Sequence, residues 1–227
     1  MEPADAKTFT MWADIACPWT HLAVHRWRRE RARRHLEDEV RLDVRCFPLE
    51  LFNRRATPKR VLDAEIPVAG GLDPDAGWMM WQRAESDYAV TTLPALEAVI
   101  AAKDQSLAAS EDLDFALRRA FFGESRNISI HHEILRVAEE CESVDEEELD
   151  RALRSGKARK TVFEDTAEAQ SSDVIKGSPH FFASGGQNWH NPGVQMRWVG
   201  KSGEGFPLVE KDDHTIYEEM FDHIDAD

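Results

Sequence analysis

Cysteine is scarce in this sequence: among 227 residues there are only three, Cys17, Cys46 and Cys141. Their odd number and wide spacing argue against a framework of disulfides. None has a close cysteine neighbour of the kind that structural zinc sites use. The two histidines and the glutamate at 131–133 are a poor chelating set, because neighbours on a helix point about 100° apart. We therefore predict no metal site.

Long apolar runs and a basic N-terminal region are also missing. No stretch approaches the roughly 18 apolar residues that span a bilayer, and residues 1–12 are polar and acidic rather than signal-like. The 28 Lys and Arg residues are outnumbered by 43 Asp and Glu, which gives a net charge of −15. Such a charge would repel nucleic acids and anionic membranes. We therefore expect a cytoplasmic protein that binds neither.

The chain does contain enough apolar residues, 42%, for the core of one large domain. Aromatic and β-branched residues over 7–15 predict a strand, and Pro18 suits the first turn of a helix that follows it. A second strand is predicted over 41–49, because Leu42, Val44 and Cys46 alternate with charged residues. The arginines of the first helix that are predicted to face water are Arg26, Arg28, Arg29 and Arg33.

Proline and glycine interrupt residues 53–81, so we expect a long loop with at most short helical turns, a length typical of lids and binding loops. Helices are then predicted over 92–103, 110–122, 129–141, 145–154 and 157–169. Their expected N-caps include Ser110, Ser129 and Asp145. A short strand at 180–183, a Gly185-Gly186 turn and a return strand at 188–191 form a hairpin. A helix over 215–224 follows.

Three short motifs occur in the order found in a known family. Residues 14–19, DIACPW, put Cys17 at a strand-to-helix junction; residues 177–182, GSPHFF, put Pro179 just before the hairpin; residues 191–193 are NPG. A strand–helix–strand unit followed by such a proline is the layout of the thioredoxin fold. The sequence resembles the DsbA-like family of thiol–disulfide oxidoreductases, in the branch of FrnE-like proteins, 2-hydroxychromene-2-carboxylate isomerases and kappa-class glutathione transferases.

The resemblance implies an α/β thioredoxin fold with an α-helical insertion between the second strand and the strand after the cis-proline. Residues 1–52 and 172–227 would form the thioredoxin-like domain, and residues 53–171 the loop and helical insertion. It also implies a cis bond before Pro179. The backbone N–H and C=O of Ser178 would then hold an extended peptide or a thiol cofactor beside Cys17.

The state of Cys17 follows from where a helix would place it. A free cysteine, with a pKa near 8.5, is mostly protonated at neutral pH. Unpaired N–H groups and the positive end of the helix dipole would lower that pKa. The Thr20 hydroxyl can turn towards the sulfur, and His21 either adds positive charge when protonated or faces solvent. Trp19 can shield the sulfur, stack on a ligand or pack on the insertion; Cys17 can also be just a small buried residue.

The family pattern has a second cysteine where this chain has Thr20. Cys46 is predicted in a strand and Cys141 in the inserted helices, so neither is an obvious substitute. We therefore predict a thiol–disulfide oxidoreductase with one working thiol, resolved by an external thiol, with Cys17 and Thr20 as its catalytic residues. The residues predicted to bind the substrate or thiol are Pro18, Trp19, His21, Ser178 and Pro179.

Two other functions stay open. One is a transferase or isomerase that uses a small thiol such as glutathione or mycothiol, and the other is a binding module that has lost its chemistry. We expect no tightly bound cofactor, although such a small thiol would be a dissociable one. The expected partners are a thiol or disulfide, on a protein or a small molecule, and a second copy of the chain in a homodimer.

Overall fold

The computed structural model describes residues 7–201 and 205–225. Its main sheet has the strand order β2-β1-β3-β4, with β1 Lys7–Ala13, β2 Val40–Cys46, β3 His180–Phe182 and β4 Asn188–His190. Strands β1 and β2 are parallel, whereas β3 pairs antiparallel with both β1 and β4. This topology confirms the predicted thioredoxin fold. The parts of the predicted thioredoxin-like domain that lie outside the described residues are 1–6, 202–204 and 226–227.

The helices of the described residues are α1 Pro18–Arg33, α2 Leu49–Phe52, α3 Lys59–Leu72, α4 Leu93–Ala102, α5 Leu107–Glu124, α6 His131–Glu139, α7 Glu146–Ser155, α8 Lys157–Ser171 and α9 Thr215–Asp225. Helix α1 joins β1 to β2, and α2 to α8 all lie between β2 and β3 in the chain. Helices α4, α5 and α8 contact β2, so the inserted helices cover the sheet. Of the helices described, none has the length and apolar character needed to cross a membrane.

The alternation predicted for the second strand is confirmed. The side chains of Val40, Leu42, Val44 and Cys46 are fully buried, and the charged side chains between them are half-buried. Both β1 and β2 end earlier than predicted. After Ala13 the chain turns, with the Cys17 N–H 3.4 Å from the Asp14 carbonyl oxygen, and this turn leads into α1.

The prediction of a loop over 53–81 is wrong for residues 59–72, because these residues form α3. Its buried side chains, Val61, Leu62, Glu65, Ile66 and Ala69, follow the period of one helical face. Proline and glycine within the segment hid that period. The proline of α3 removes one intrahelical hydrogen bond, and the burial of this face offsets the loss.

Strands β5, Val194–Val199, and β6, Phe206–Asp212, form a separate antiparallel pair that the sequence analysis missed. Strand β6 packs on α3. The apolar cluster around Cys17 and Trp19 is contacted by three side chains of this pair, Val194, Met196 and Val209. The β5–β6 pair therefore covers the start of α1 together with α3.

Two of the three predicted N-caps are wrong. The cap of α5 is Ser106, whose hydroxyl accepts the Ala109 N–H at 2.9 Å, whereas Ser110 is buried inside the helix and donates to the Val99 carbonyl. Ser129 lies before the N-cap of α6, and its hydroxyl bonds to Asn127 instead. The cap at Asp145 is confirmed, because its carboxylate accepts the Glu148 N–H at 2.9 Å.

The prediction that Arg26 faces water is also wrong, since its side chain is only 1% exposed. Its guanidinium donates to both carboxylate oxygens of Asp212 on β6, at 2.6 and 3.0 Å, and to Asp73 after α3 at 3.3 Å. Such pairs need several hydrogen bonds to offset the cost of burying charge. Arg26 thus ties α1 to the two elements that cover its start.

We expect Arg26→Met to lower the free energy of unfolding by on the order of 3 kcal/mol, because it leaves two carboxylates without their buried cation. Arg29→Met is the matched control: Arg29 also pairs with Asp73 but is 48% exposed, so its loss should cost about 0–1 kcal/mol. Urea unfolding followed by circular dichroism measures both. Equal losses for the two variants would contradict the clamping role of Arg26.

Candidate active site

Cys17 is the N-cap residue of α1, and Pro18 occupies the first helical position. The Cys17 carbonyl accepts the N–H groups of Thr20 and His21 at 3.1 and 3.0 Å. Its sulfur donates to the carbonyl oxygen of Ser178, 161 positions away in the chain, at 3.3 Å. The structure therefore brings the two predicted halves of the site together.

The Ser178–Pro179 peptide bond is cis. The Ser178 hydroxyl accepts the Asp14 N–H at 2.8 Å and lies 2.8 Å from the Thr20 hydroxyl. The Pro179 carbonyl accepts the Asn191 N–H, which links the loop to the end of β4. These bonds hold the proline loop against the junction between β1 and α1.

The expectation of a lowered pKa for Cys17 is wrong. The residue is 3% exposed, and its burial raises the pKa of the thiol above the ordinary value. Hydrogen bonding by the Thr20 and Ser178 hydroxyls and by the Thr20 N–H lowers that pKa, and the nearby Glu65 carboxylate raises it further. The balance favours a protonated thiol in the resting protein.

His21 neither carries the expected positive charge nor faces solvent. Its ring is fully buried, stacks on Phe122, meets Trp78 edge-on and bonds to the Ala76 carbonyl at 2.9 Å through Nε2. Burial lowers the pKa of His21 to about 3, so the ring is neutral. His21 therefore packs α1 against α5 and adds no positive charge at the sulfur.

An open cavity of about 240 Å³ lies beside the sulfur. Its lining includes Cys17, Pro18, Trp19 and Ser178, together with residues of α3 and β5. Among the described residues that line this cavity, the ionisable ones are Cys17 and Glu65. Part of the wall comes from α3 and β5, the two elements that sequence reasoning missed.

Glu65, on α3, is the functional candidate that the sequence analysis overlooked. Its side chain is buried, and Oε1 accepts the indole N–H of Trp19 at 2.8 Å. Burial raises the pKa of Glu65 to about 7, and the bond from Trp19 acts in the opposite direction. The signal that could have found it is the period of α3, which puts position 65 on the buried face.

The other two thiols are not among the residues that line this cavity. Cys46 is buried in β2, and that burial raises its pKa well above the ordinary value. Cys141, after α6, bonds to the Val137 carbonyl, and partial burial raises its pKa to about 11. All three cysteines are free. Over 7–201 and 205–225, no cluster of three or more metal-binding side chains occurs.

The chain matches the family described as DSBA-like thioredoxin domain over residues 8–201. Its structure is similar to that of a probable DsbA oxidoreductase from Streptomyces coelicolor, with 18% identity, a TM-score of 0.65 and coverage of 97% of this chain and 91% of that one. It is also similar to the cytosolic disulfide reductase DsbM from Pseudomonas aeruginosa, with 16% identity, a TM-score of 0.60 and coverage of 96% of this chain and 95% of that one. A structure of DsbM with glutathione matches as well.

A 2-hydroxychromene-2-carboxylate isomerase is also similar, with 15% identity and a TM-score of 0.54 over 80% of this chain and 87% of that one. No curated protein matches the sequence. At such identities the structural likeness shows the fold alone, and the match over residues 8–201 shows the family.

The raised pKa of Glu65 predicts a pH-dependent stability. The folded protein keeps the Glu65 proton up to about pH 7, whereas the unfolded chain releases it near 4.5. The folded state therefore binds more protons between these values, and this contribution makes stability fall as pH rises. We expect Glu65→Gln to remove that fall and to be more stable than wild type above pH 7, by up to roughly 3 kcal/mol.

Urea unfolding of both proteins from pH 4 to pH 8 measures this difference. The two free energies should agree at the acid end, where Glu65 is protonated in both states, and diverge as pH rises. Parallel curves across the whole range would show that Glu65 does not carry the raised pKa.

Proposed function

The chain belongs to the DSBA-like thioredoxin domain family, and on that basis we propose that it is a thiol–disulfide oxidoreductase that acts through the single thiol of Cys17. The observation that carries this proposal is the 3.3 Å contact between the Cys17 sulfur and the Ser178 carbonyl beside an open cavity. A disulfide that enters the cavity would meet the sulfur and the backbone next to the cis-proline together.

The proposed reaction has two exchanges. The Cys17 thiolate attacks one sulfur of the substrate disulfide, so a mixed disulfide forms and the other half leaves as a thiolate that takes up a proton. Because Thr20 stands at the position of a second cysteine, an external thiol then attacks the mixed disulfide. Cys17 leaves as a thiolate, and the sulfur of the external thiol forms a new disulfide with the substrate half.

We propose a low-molecular-weight thiol, glutathione or mycothiol, as that external thiol. A cavity of about 240 Å³ suits a small molecule better than a folded protein surface. The similar reductase DsbM matches also in a structure with glutathione. A cytoplasmic setting, where thiols are kept reduced, would supply this reductant.

A second candidate is a transferase or isomerase that binds a small thiol as its cofactor. The hydroxyls of Thr20 and Ser178, 2.8 Å apart, both act on the Cys17 sulfur and could position the sulfur of a bound thiol in the same way. Calorimetry with glutathione and mycothiol separates the two candidates. Binding that survives Cys17→Ser favours the transferase, and binding lost with Cys17 favours mixed-disulfide chemistry.

For the oxidoreductase we expect wild type, incubated with glutathione disulfide, to gain one glutathionyl group at Cys17 and to lose it again when free glutathione is added. Intact-mass spectrometry measures both steps. Cys17→Ser should gain none, because the attacking sulfur is gone. Cys46→Ser and Cys141→Ser are the matched controls, and both should react as wild type does.

An adduct that persists in Cys17→Ser would place the chemistry on another thiol. If wild type forms no adduct with glutathione disulfide or with a peptide disulfide, the result would favour a non-catalytic binding module over an oxidoreductase.

A further inference from the structure

We propose that Glu65 takes the proton from the Cys17 thiol and returns it during each exchange. This inference rests on the proposed function, because it assigns the proton acceptor that a thiol-dependent exchange requires. Its basis is the juxtaposition of Glu65, Trp19 and Cys17 around one cavity.

A hydrogen bond fixes one oxygen of the carboxyl, and the carboxyl lines the same cavity as the thiol. Oε1 accepts the Trp19 indole N–H at 2.8 Å, and Trp19 lies in the first turn of α1, two positions after Cys17. Within the described residues, no hydrogen bond is formed by Oε2. A carboxylate can serve as a base directly or through one water molecule, and the cavity has several times the volume of one water.

Over the described residues, no cation forms an ion pair with the Glu65 carboxyl. Among the described residues, Cys17 and Tyr88 interact with it electrostatically, and burial raises the pKa of the Tyr88 phenol. Several charged side chains on α3 and on the elements packed against it form ion pairs with other partners: Lys59 with Asp63, Arg29 with Asp73, Asp212 with Arg26, Glu210 with Arg197 and Lys211 with Asp213. Arg60, also on α3, is exposed.

A shared proton also removes an electrostatic conflict. A thiolate and a carboxylate that line one cavity repel each other, which is why the Glu65 charge raises the pKa of Cys17. If the proton moves from Cys17 to Glu65, only one negative charge is present. Such a pair titrates as a unit, with one step near the pKa of Glu65, about 7, and a second at alkaline pH.

The proton steps balance in both exchanges. Cys17 gives its proton to Glu65, its thiolate breaks the substrate S–S bond, and the leaving thiolate takes the proton from Glu65. The external thiol then gives its proton to Glu65 and attacks the mixed disulfide. Its sulfur forms a disulfide with the substrate half, while Cys17 leaves as a thiolate and recovers that proton. One external thiol is thus oxidised to the disulfide level for each substrate thiol that is released.

The test is the pH dependence of Cys17 alkylation by iodoacetamide, measured with Cys46 and Cys141 replaced by serine. In wild type the rate should rise near pH 7, as Glu65 ionises, and again at alkaline pH. Glu65→Gln keeps an oxygen for the Trp19 hydrogen bond but cannot accept the proton. We expect it to lose the first rise and to react at least about 10-fold more slowly at pH 8.

Two further variants sharpen the result. Glu97→Gln is the matched control, because Glu97 is similarly buried but pairs with Arg159 away from the cavity; it should keep both rises. Glu65→Asp keeps a carboxyl group in the cavity and should keep the first rise. Circular dichroism confirms that each variant is folded.

The opposite change in rate would contradict the proposal. If Glu65 acts only through its charge, Glu65→Gln lowers the pKa of Cys17 and reacts faster than wild type at neutral pH. A faster or unchanged rate, or the absence of the first rise in Glu65→Asp, overturns the proposal. Iodoacetamide contains no disulfide, so this result is independent of the glutathionyl assay: either inference can fail while the other holds.

Discussion

The hydrogen bond between the Cys17 sulfur and the Ser178 carbonyl is the contact on which the site depends. It joins the start of α1 to the cis-proline loop, and the Ser178 hydroxyl holds the same junction through Asp14 and Thr20. The enclosure that results decides the state of the thiol. A helix N-terminus stabilises an anion by about 0.3–1 kcal/mol, whereas burial can raise a pKa by several units of about 1.4 kcal/mol each.

The cavity beside the sulfur is built by tertiary contacts between distant segments. Arg26 ties α1 to β6 and to the end of α3, and the Trp19–Glu65 bond ties the first turn of α1 to the middle of α3. The covering elements thus supply part of the cavity wall and its second ionisable group. A protonated thiol with a raised pKa is a stronger nucleophile once ionised, so a nearby proton acceptor suits this site better than a permanently charged sulfur would.

The sequence was sufficient for the parts of the molecule that local pattern specifies. The alternation in β2 and the proline at the start of α1 predicted the local elements. The order of the motifs at 14–19 and 177–182, through the family resemblance that it carries, predicted the fold and the contact of Cys17 with the proline loop. In α3 and the β5–β6 pair the periodic signal was present, but proline and glycine hid the helix and the strand pair was overlooked.

The misjudged side chains have one physical cause. Arg26 and His21 are polar, and residues of these types usually face water, yet each is buried against partners far away in the chain. The period of α3 could have shown that Glu65 is buried, but its hydrogen bond to Trp19 of α1 is a contact of the same long-range kind. Pairings of this kind depend on how elements pack, and no local pattern of residues specifies them.

The pKa of Cys17 in the resting protein tests the central claim, that enclosure outweighs the helix terminus, most directly. It is obtained from the ultraviolet absorbance of the thiolate across a pH titration, as the difference between wild type and a Cys17→Ser variant. We expect the final titration step, in which Cys17 itself ionises, to lie above the pKa of a free cysteine. A single step below that value would contradict it, since the helix N-terminus would then dominate the thiol.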